Sequence, residues 1–512
     1  MRKFLLPGFI VLSFCAIGQK KNSPSFFAAT ISADDMKRHL YIIAGPEMEG
    51  RDTPSPGLEK AAGYIEAHFK SLGLLPGNKD SYRQVYTLYK DSVTNTSLRV
   101  NGAAFELNKD FQPNVMLNHL AEMHFSEVVF AGYGIVDEST DHYKDLDVTG
   151  KLVMIVDGSP SGYKPSATGF ASPSNVFSKI SEAQQKGAAA VLVIYGNYPR
   201  KTFNSTSSYR IYENKASMSP LSFSVSEAVA EKILGDAGKG ILEKMKTAPL
   251  AAGVYKADVD LGYFKTTNTA HASNVLGLLE GTDKKDEYVV ITSHYDHVGK
   301  RNDSTIYYGA DDDGSGTVGI LEISEAFAKA RTAGKGPRRS ILFMTVSGEE
   351  KGLLGSEYYT NHPIFPLDKT TVDLNIDMIG RIGEEYLKDK DSVNYLYVIG
   401  DDKLSTDLTP ITETINSKYF SMKLDRKYND PNDKNRFYYR SDHYNFAEKG
   451  VPIIFYFNGV HADYHRPTDT PDKINYKLMA KRGQLVFYTA WEMANRNDML
   501  KRDLKLEKPK GF

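Results

Sequence analysis

The chain has 512 residues, of which 41% are hydrophobic and 25% are charged. This ordinary globular mixture excludes a disordered or collagen-like chain, and the length allows about three domains or one large domain with an insertion. Lys and Arg total 63 against 64 for Asp and Glu, which gives a net charge of −1. Since a nucleic-acid-binding protein normally carries a basic excess, the composition predicts no nucleic-acid partner.

The first 18 residues are typical of a secretory signal peptide. A basic start precedes an apolar run over residues 4–17, and Gly18 ends a small-residue cleavage motif. The run is too short for a membrane-spanning helix, and we predict no transmembrane segment after it. We therefore expect an exported protein, periplasmic or extracellular, with an uncleaved N-terminal anchor as the alternative. Lipid attachment at Cys15, the single cysteine, is disfavoured by the bulky Phe14 directly before it.

The rest of the chain shows two kinds of pattern. Residues 19–114 open with a helical periodicity, and residues 256–500 contain apolar strands that alternate with helices. Residues 115–255 contain short apolar runs separated by turn residues, which predicts a small β-rich domain with one or two helices. The charged segment 501–512 follows as a tail that we expect to be frayed.

Buried strands are predicted where short apolar runs lie between turn signals. These runs are Tyr288–Thr292, Ile341–Val346, Val372–Ile376, Tyr395–Ile399 and Pro452–Phe457. Their alternation with helical segments predicts an α/β fold, with a mixed, mostly parallel sheet covered by helices on both faces.

Histidines and carboxylates follow several of these strands. They occur in Ser293-His294-Tyr295-Asp296-His297, Gly309-Ala310-Asp311-Asp312-Asp313-Gly314-Ser315-Gly316, Glu349-Glu350, Asp377-Met378 and His461-Ala462-Asp463-Tyr464-His465. Ligands of open α/β sheets bind beyond the carboxyl ends of the strands, so we expect these side chains to converge. Converging carboxylates repel each other unless cations neutralise them, and nitrogen and oxygen donors without sulfur suit zinc, cobalt or manganese.

In combination, these motifs resemble the M28 family of zinc metallopeptidases of the aminopeptidase type. The resemblance covers about residues 30–115 and 265–500, and it includes Asn375-Ile376-Asp377-Met378-Ile379-Gly380 and Thr468-Asp469-Thr470-Pro471-Asp472. It implies a zinc-exopeptidase-like fold in one discontinuous domain, residues 19–114 and 256–500, with residues 115–255 inserted. The insert at residues 115–255 is similar to a protease-associated domain in Phe130-Ala131-Gly132-Tyr133-Gly134-Ile135 and Lys186-Gly187-Ala188-Ala189-Ala190-Val191-Leu192.

The resemblance implies two zinc ions per chain, with other divalent metals possible. His294, Asp312 and Asp377 would hold one ion, and Asp312, Glu350 and His465 would hold the other. Asp312 would bridge the two ions, because it takes the bridging position of the family's glycine-rich frame. If that frame slipped by one residue, an acidic neighbour would take the role.

The resemblance also implies roles for residues that are not ligands. The Asp296 carboxylate would accept the second ring N–H of His294 and so fix its tautomer. Glu349 would be the general base that takes a proton from a metal-bound water and so leaves hydroxide, and Tyr464 would donate a hydrogen bond to the developing oxyanion. Arg440 would contact the substrate carbonyl or, alternatively, pair with an acid on the surface.

These expectations describe a secreted dizinc aminopeptidase that acts on peptides with a free N-terminus. Alternatives are a carboxypeptidase or dipeptidase of the same family, a one-zinc glutaminyl cyclase on a related fold, and a non-catalytic binding module. We interpret His297, His443 and His461 as structural or supporting residues. The insert is either a lid that influences specificity or a structural appendage. The sequence does not indicate the preferred N-terminal residue, the native metal or the oligomeric state.

Overall fold

The computed structural model describes residues 23–114, 120–167, 172–213, 220–247 and 249–507. The predicted signal peptide, residues 1–18 with Cys15, lies outside the described residues. The chain divides into two compact units, with the boundaries between Gln84 and Val85 and between Ala272 and Ser273. We call the part up to Gln84 together with Ser273–Leu506 the first unit, and Val85–Ala272 the second unit.

The boundaries of the second unit differ from the predicted positions at 115 and 255. Residues 85–114 join the second unit because their strands pair there. The strand Arg83–Val100 pairs with Ala103–Ala104, and Phe111–Pro113 pairs with Leu221–Val225. The long strand Gly253–Leu279 extends beyond residue 255, and its residues 253–263 pair with Ala121–Phe130.

The first unit contains a mixed, mostly parallel sheet, which confirms the predicted fold class. Its strands follow the order Lys423–Asp425, Tyr395–Ile399, Ile453–Phe457, Thr370–Ile376, Lys284–His294 and Arg339–Val346, followed by residues 275–279 of the long strand. The pairs of this series are parallel, except for Tyr395–Ile399 against Ile453–Phe457 and the final pair. Leu75–Pro76 adds to the long strand, and Lys300–Asn302 pairs with Thr305–Ile306 in a separate hairpin.

Helices cover both faces of this sheet. They are Pro24–Ala28, Ala33–Ile43, Pro56–Ser71, Gly316–Thr332, Leu354–Asn361, Leu408–Tyr419, His443–Glu448 and Tyr476–Asn495. The ring of Phe343 lies 6.2 Å from that of Phe327 in Gly316–Thr332. The preceding strand residue, Leu342, belongs to a buried cluster with Phe446 of His443–Glu448. Because successive strand residues point to opposite faces, the two helices pack on opposite sides.

The helix Pro56–Ser71 shows how the sequence sets a local element. Ser55 accepts the N–H of Leu58, and Pro56 occupies the first turn, where its missing N–H costs nothing. Ala61, Ile65 and Phe69 follow at four-residue steps and are fully buried. This apolar stripe confirms the predicted helical periodicity.

The second unit contains its own sheet and helices. The strand order is residues 253–263, Ala121–Phe130, Leu152–Val156, Ala190–Ile194, Leu221–Val225 and Phe111–Pro113. The helices among its described residues are Val176–Gln185, Glu227–Leu234 and Ile241–Thr247, one more than predicted. Val136–Asp137 and Thr140–Asp141 form a small hairpin.

Two further observations concern the described chain as a whole. No helix within the described ranges has both the length and the apolar character needed to cross a bilayer. The described part of the charged tail is attached rather than frayed, since Arg502 donates to the carbonyls of Leu367 and Thr370 and Asp503 accepts from Thr406.

A fully buried arginine joins the segment before helix Pro56–Ser71 to two loops of the first unit. The guanidinium of Arg51 donates to the carbonyl oxygens of Tyr295 (2.7 Å), Ile43 (2.8 Å), Tyr308 (2.8 Å) and Gly309 (2.9 Å). These acceptors include residues that follow the strand Lys284–His294 and begin the glycine-rich loop. The N-terminal segment therefore helps to fix the edge of the sheet where the predicted site residues lie.

Two adjacent arginines allow a matched test of stability. The buried Arg339 pairs with Glu287 (2.7 Å) and donates to backbone carbonyls, whereas Arg338 pairs with Asp283 at the surface. Arg339→Ala should lower the free energy of unfolding by about 3 kcal/mol, because buried acceptors and a charge lose their partner. Arg338→Ala should cost much less, because its ion pair with Asp283 is screened by solvent. Urea unfolding followed by Trp491 fluorescence measures both values, and equal costs would contradict the interpretation.

Candidate metal centre

The predicted site residues lie where parallel strands of the first unit end. His294 is the last residue of Lys284–His294, and its register partner in the adjacent strand is Val346. Glu349 and Glu350 follow that adjacent strand after a two-residue turn, and Asp377 directly follows Thr370–Ile376. Because these three strands are mutually parallel, their carboxyl ends bring the side chains to one edge of the sheet.

The glycine-rich loop brings Asp312 to the same edge. Asp469 accepts the backbone N–H groups of Asp311 (3.0 Å) and Asp312 (3.2 Å) through one carboxylate oxygen. Asp313 accepts the N–H groups of Gly316 (2.8 Å) and Met378 (3.0 Å). These hydrogen bonds fix the loop at both ends, so Asp312 takes a defined position between its acidic neighbours.

Asp312 faces a histidine with each of its two oxygens. Its Oδ1 lies 3.3 Å from His294 Nε2, and its Oδ2 lies 3.0 Å from His465 Nε2. His294 Nε2 also lies 3.6 Å from Asp377 Oδ1, and His465 Nε2 lies 3.2 Å from Glu350 Oε2. The structure therefore brings all five predicted ligands together in two clusters that share Asp312.

Asp296 lies beside His294, but its carboxylate is not the nearest acceptor. The ring Nδ1 of His294 is 3.1 Å from the backbone carbonyl of Asp296 and 3.6 Å from its Oδ1. The carboxylate instead accepts the N–H of Glu349 (3.2 Å) and the hydroxyl of Thr53 (3.1 Å). This corrects the predicted contact, because the backbone of Asp296 orients the histidine while its side chain holds the loop of Glu349.

Asp377 and the base candidate Glu349 have distinct surroundings. Asp377 Oδ2 accepts the hydroxyl of Ser441 (2.7 Å), which in turn accepts an N–H from Asn375 (2.9 Å). Glu349 Oε2 lies 3.9 Å from His294 Nε2. Asp377 is thus held by a hydrogen-bonded series behind it, while Glu349 borders the first cluster without belonging to it.

The pKa values of Glu349 and Asp312 are shifted in opposite directions. Burial raises the pKa of Glu349 well above its usual range, and the neighbouring Asp377 adds to this shift. Burial also acts on Asp312, but the neighbouring imidazoles of His294 and His465 lower its pKa well below the usual range. The centre therefore combines a carboxyl that readily takes up a proton with one that stays ionised.

The donor set fits divalent cations. His294 Nε2, Asp312 Oδ2 and Glu350 Oε1 are buried and have no hydrogen-bond partner among the described residues. Buried polar atoms without partners are costly, and coordination would satisfy them. Imidazole nitrogens with carboxylate oxygens, and no sulfur, are the donors of open zinc sites. Zinc therefore suits these residues chemically.

Tyr464 and Arg440 lie next to the second cluster. The ring of Tyr464 stacks on that of His465 with centroids 3.9 Å apart, and its hydroxyl accepts from Arg440 Nη2 at 3.4 Å. Burial raises the pKa of the Tyr464 phenol, and the nearby Asp312 raises it further, so the phenol keeps its proton. Both residues remain candidates for contacts with a substrate.

A small cavity of about 30 Å³ opens beside these groups. Asp312, Glu349 and Asp377 line one side of it, together with Arg440 and Tyr464. Its remaining lining is apolar: Met378, Phe437, Phe455, Phe457 and Val460. An apolar recess next to carboxylates suits a ligand that carries both a charged group and a small apolar side chain.

Sequence reasoning assigned only supporting roles to three further histidines. His443 is buried and hydrogen-bonds the carbonyl of Tyr438 (2.8 Å), and His461 lies 3.1 Å from Asp311 Oδ2. These two positions agree with that interpretation. His297 is different, because its Nδ1 lies 2.9 Å from Glu350 Oε1. The sequence His-Tyr-Asp-His indicates this position, because the second histidine follows the end of the same strand as the first.

Comparison with known proteins shows what this region is similar to. Residues 274–490 match peptidase family M28. A probable leucine aminopeptidase of Trichophyton verrucosum is 30% identical over 216 residues, 41% of this chain and 55% of that protein. A probable glutamate carboxypeptidase of Arabidopsis thaliana is 30% identical over 159 residues, 31% of this chain and 21% of that protein. The chain thus spans about a fifth to about half of the length of these relatives.

The fold also resembles a solved structure. An aminopeptidase from Aneurinibacillus sp. strain AM-1 superposes with a TM-score of 0.54 at 21% identity, covering 95% of this chain and all of that one. At this identity the likeness concerns the fold, and it agrees with the mixed sheet flanked by helices.

Zinc should stabilise the metal-free first unit. A bound cation removes the repulsion between the clustered carboxylates, so zinc at about 100 times its Kd should raise the unfolding midpoint by about 5 °C or more. Asp312→Asn should lose most of this increase, because both clusters lose their shared oxygen donor. Asp283→Asn, at a surface carboxylate, should retain it. Thermal unfolding followed by Trp491 fluorescence provides the measurement, and an undiminished increase in Asp312→Asn would count against the shared site.

Proposed function

We propose, on the premise that residues 274–490 belong to peptidase family M28, that this chain is a dizinc aminopeptidase that removes N-terminal residues from peptides. The observation that carries the proposal is that the two oxygens of the Asp312 carboxylate face different histidines, Oδ1 facing His294 and Oδ2 facing His465. One carboxylate shared by two donor clusters is the arrangement that a pair of metal ions about 3.5–4 Å apart requires. His294, Asp312 and Asp377 would hold one ion, and Asp312, Glu350 and His465 the other.

Glu349 is the general base in this proposal. Its carboxyl lines the cavity beside Asp312 and Asp377, and its raised pKa favours taking a proton from an attacking water molecule. It would then pass that proton to the leaving amine. Zinc bound by the two clusters would supply Lewis-acid chemistry and lower the pKa of water.

Tyr464 and Arg440 are assigned to the scissile carbonyl. The phenol keeps its proton and therefore can donate a hydrogen bond to the oxygen on which negative charge develops. Arg440 donates to the same phenol and lines the same cavity, so it can share in holding that oxygen. Asp296 acts as a positioning residue, through its backbone on His294 and through its carboxylate on the loop of Glu349.

The cavity supports an aminopeptidase. Carboxylates on one wall attract a positively charged α-amine, and the apolar wall accepts the first side chain. A carboxypeptidase or dipeptidase is the second candidate, because Arg440 is a cation in the same cavity and guanidinium groups pair well with carboxylates.

Export and the role of the second unit complete the proposal. The pattern of residues 1–18 supports cleavage after Gly18 and a periplasmic or extracellular location. The motifs between residues 115 and 255 support a protease-associated domain, which lies within the second unit. We assign it to specificity for peptides rather than to the chemical step, because the proposed base and ligands all lie in the first unit.

A panel of peptides and their N-acetylated twins tests the activity. Only unblocked peptides should lose their first residue, because acetylation removes the charge of the α-amine. Peptides that begin with Ala or Val should react at least about 10-fold faster than those that begin with Asp, Lys or Trp, since the cavity is small and one of its walls is apolar. Mass spectrometry of the products gives both results. Cleavage of the acetylated twins would move the assignment to a carboxypeptidase or endopeptidase, and cyclisation of N-terminal glutamine would indicate a glutaminyl cyclase.

The two adjacent glutamates should have separable roles. Glu349→Gln should lower kcat by about 10²–10⁴-fold, since proton transfer is lost, and should leave the zinc content unchanged. Glu350→Gln should lower both the zinc content and kcat, because a ligand is lost. Steady-state kinetics and metal analysis of the dialysed proteins check this pair. Loss of zinc from Glu349→Gln alone would reverse the two assignments.

A further inference from the structure

His297 is a buried histidine whose ring has no ordinary hydrogen-bond partner. Its side chain is fully buried, and neither Nδ1 nor Nε2 makes a hydrogen bond of acceptable geometry within the described part of the chain. Each ring nitrogen of an imidazole carries either an N–H donor or a lone pair, and burying either of them without a partner is costly. The ring therefore lacks a well-aligned hydrogen bond, although its Nδ1 lies close to the Glu350 carboxylate.

The Nδ1 atom of His297 points at the second cluster. It lies 2.9 Å from Glu350 Oε1 and 3.7 Å from Asp312 Oδ2. His465 Nε2 approaches the same two carboxylates at 3.2 Å and 3.0 Å. Donors around a tetrahedral zinc ion, with bonds of about 2.0–2.1 Å, are separated by about 3.3 Å. The four separations bracket that value.

The fold holds the ring in this position from two sides. A Cβ atom on Gly309 would lie 2.5 Å from His297 Cγ, so the glycine leaves the space that the ring fills. The backbone N–H of His297 donates to the carbonyl of Arg51 (3.1 Å), whose guanidinium holds the carbonyls of Tyr295 and Gly309. The segment that carries His297 and the loop that carries Asp312 are thus fixed against each other by one side chain.

We propose that His297 is a fourth protein ligand at the cluster of Asp312, Glu350 and His465. The inference rests on the two-ion site of the proposed function and deepens it. Four protein donors make this cluster a closed site, whereas His294, Asp312 and Asp377 supply three donors and leave a position open beside Glu349. The two sites therefore differ in affinity, and the closed site fills first.

The first experiment uses the unaltered protein loaded with one equivalent of zinc. X-ray absorption at the zinc edge counts the imidazole groups bound to the ion. We expect two, His297 and His465. A count of one would overturn the proposal, because it leaves His297 as a neighbour that only forms an ion pair with Glu350. This measurement needs no variant and does not depend on turnover.

The second experiment measures stepwise zinc affinity by competition with a chelating dye. His297→Gln should weaken the tighter step by more than about 100-fold, which exceeds the roughly 10–100-fold effect of removing a hydrogen-bond partner of a ligand. The matched control is His39→Gln, at a buried histidine that hydrogen-bonds Tyr64 outside the centre. It should leave both steps unchanged. A tighter step that changes by less than about 3-fold in His297→Gln would overturn the proposal.

Failure of this inference differs from failure of the proposed function. If the unaltered protein binds two zinc ions and cleaves unblocked peptides while His297→Gln binds zinc normally, only the role of His297 is wrong. If the unaltered protein binds fewer than two zinc ions, the shared site itself is wrong, and the inference falls with it.

Discussion

The arrangement of the first unit depends on one buried carboxylate that faces two different histidines. Asp312 directs Oδ1 to His294 and Oδ2 to His465, and each contact is within 3.3 Å. A carboxylate faces two such partners at once only if its backbone is held in one position. Backbone N–H groups donate hydrogen bonds to the carboxylates of Asp469 and Asp313, and these bonds supply that constraint. The acidic neighbours of Asp312 thus hold its loop, and Asp312 is left to face the centre.

The second constraint is the link between the N-terminal segment and the centre. Arg51 and Thr53 lie before the first long helix in sequence, yet Arg51 donates to loop carbonyls and Thr53 donates to Asp296. A buried guanidinium without a carboxylate partner would be costly, but here four carbonyl oxygens receive its N–H groups, and Asp296 and Asp312 stabilise its charge from a distance. This explains why the residues up to Gln84 belong to the same unit as Ser273–Leu506.

The sequence predicts the strands and the metal-binding motifs of the first unit because both are local features. Buried parallel strands are continuous apolar runs, and Glu349, Asp377 and His294 follow directly at their ends. The boundary between the two units is not a local feature of the sequence. The strand Arg83–Val100 crosses this boundary, and the unit to which its residues belong depends on how the strands pair. The contact of Asp296 was also out of reach, because Thr53, 243 residues away, takes its carboxylate. The environment of His297 likewise depends on Gly309, which only the folded loop brings against the ring.

The chain order of the two units has a consequence for synthesis. Helices Ala33–Ile43 and Pro56–Ser71 leave the ribosome early, but the residues that Arg51 and Thr53 bind come after Ala272. The intervening second unit is roughly 190 residues long, so at about 5–20 residues per second the early segment waits roughly 10–40 s for its partners. During that interval its apolar stripe, with Ile65 and Phe69, has no sheet to pack on. The strands between Val85 and Ala272 are all synthesised before the parallel strands of the first unit.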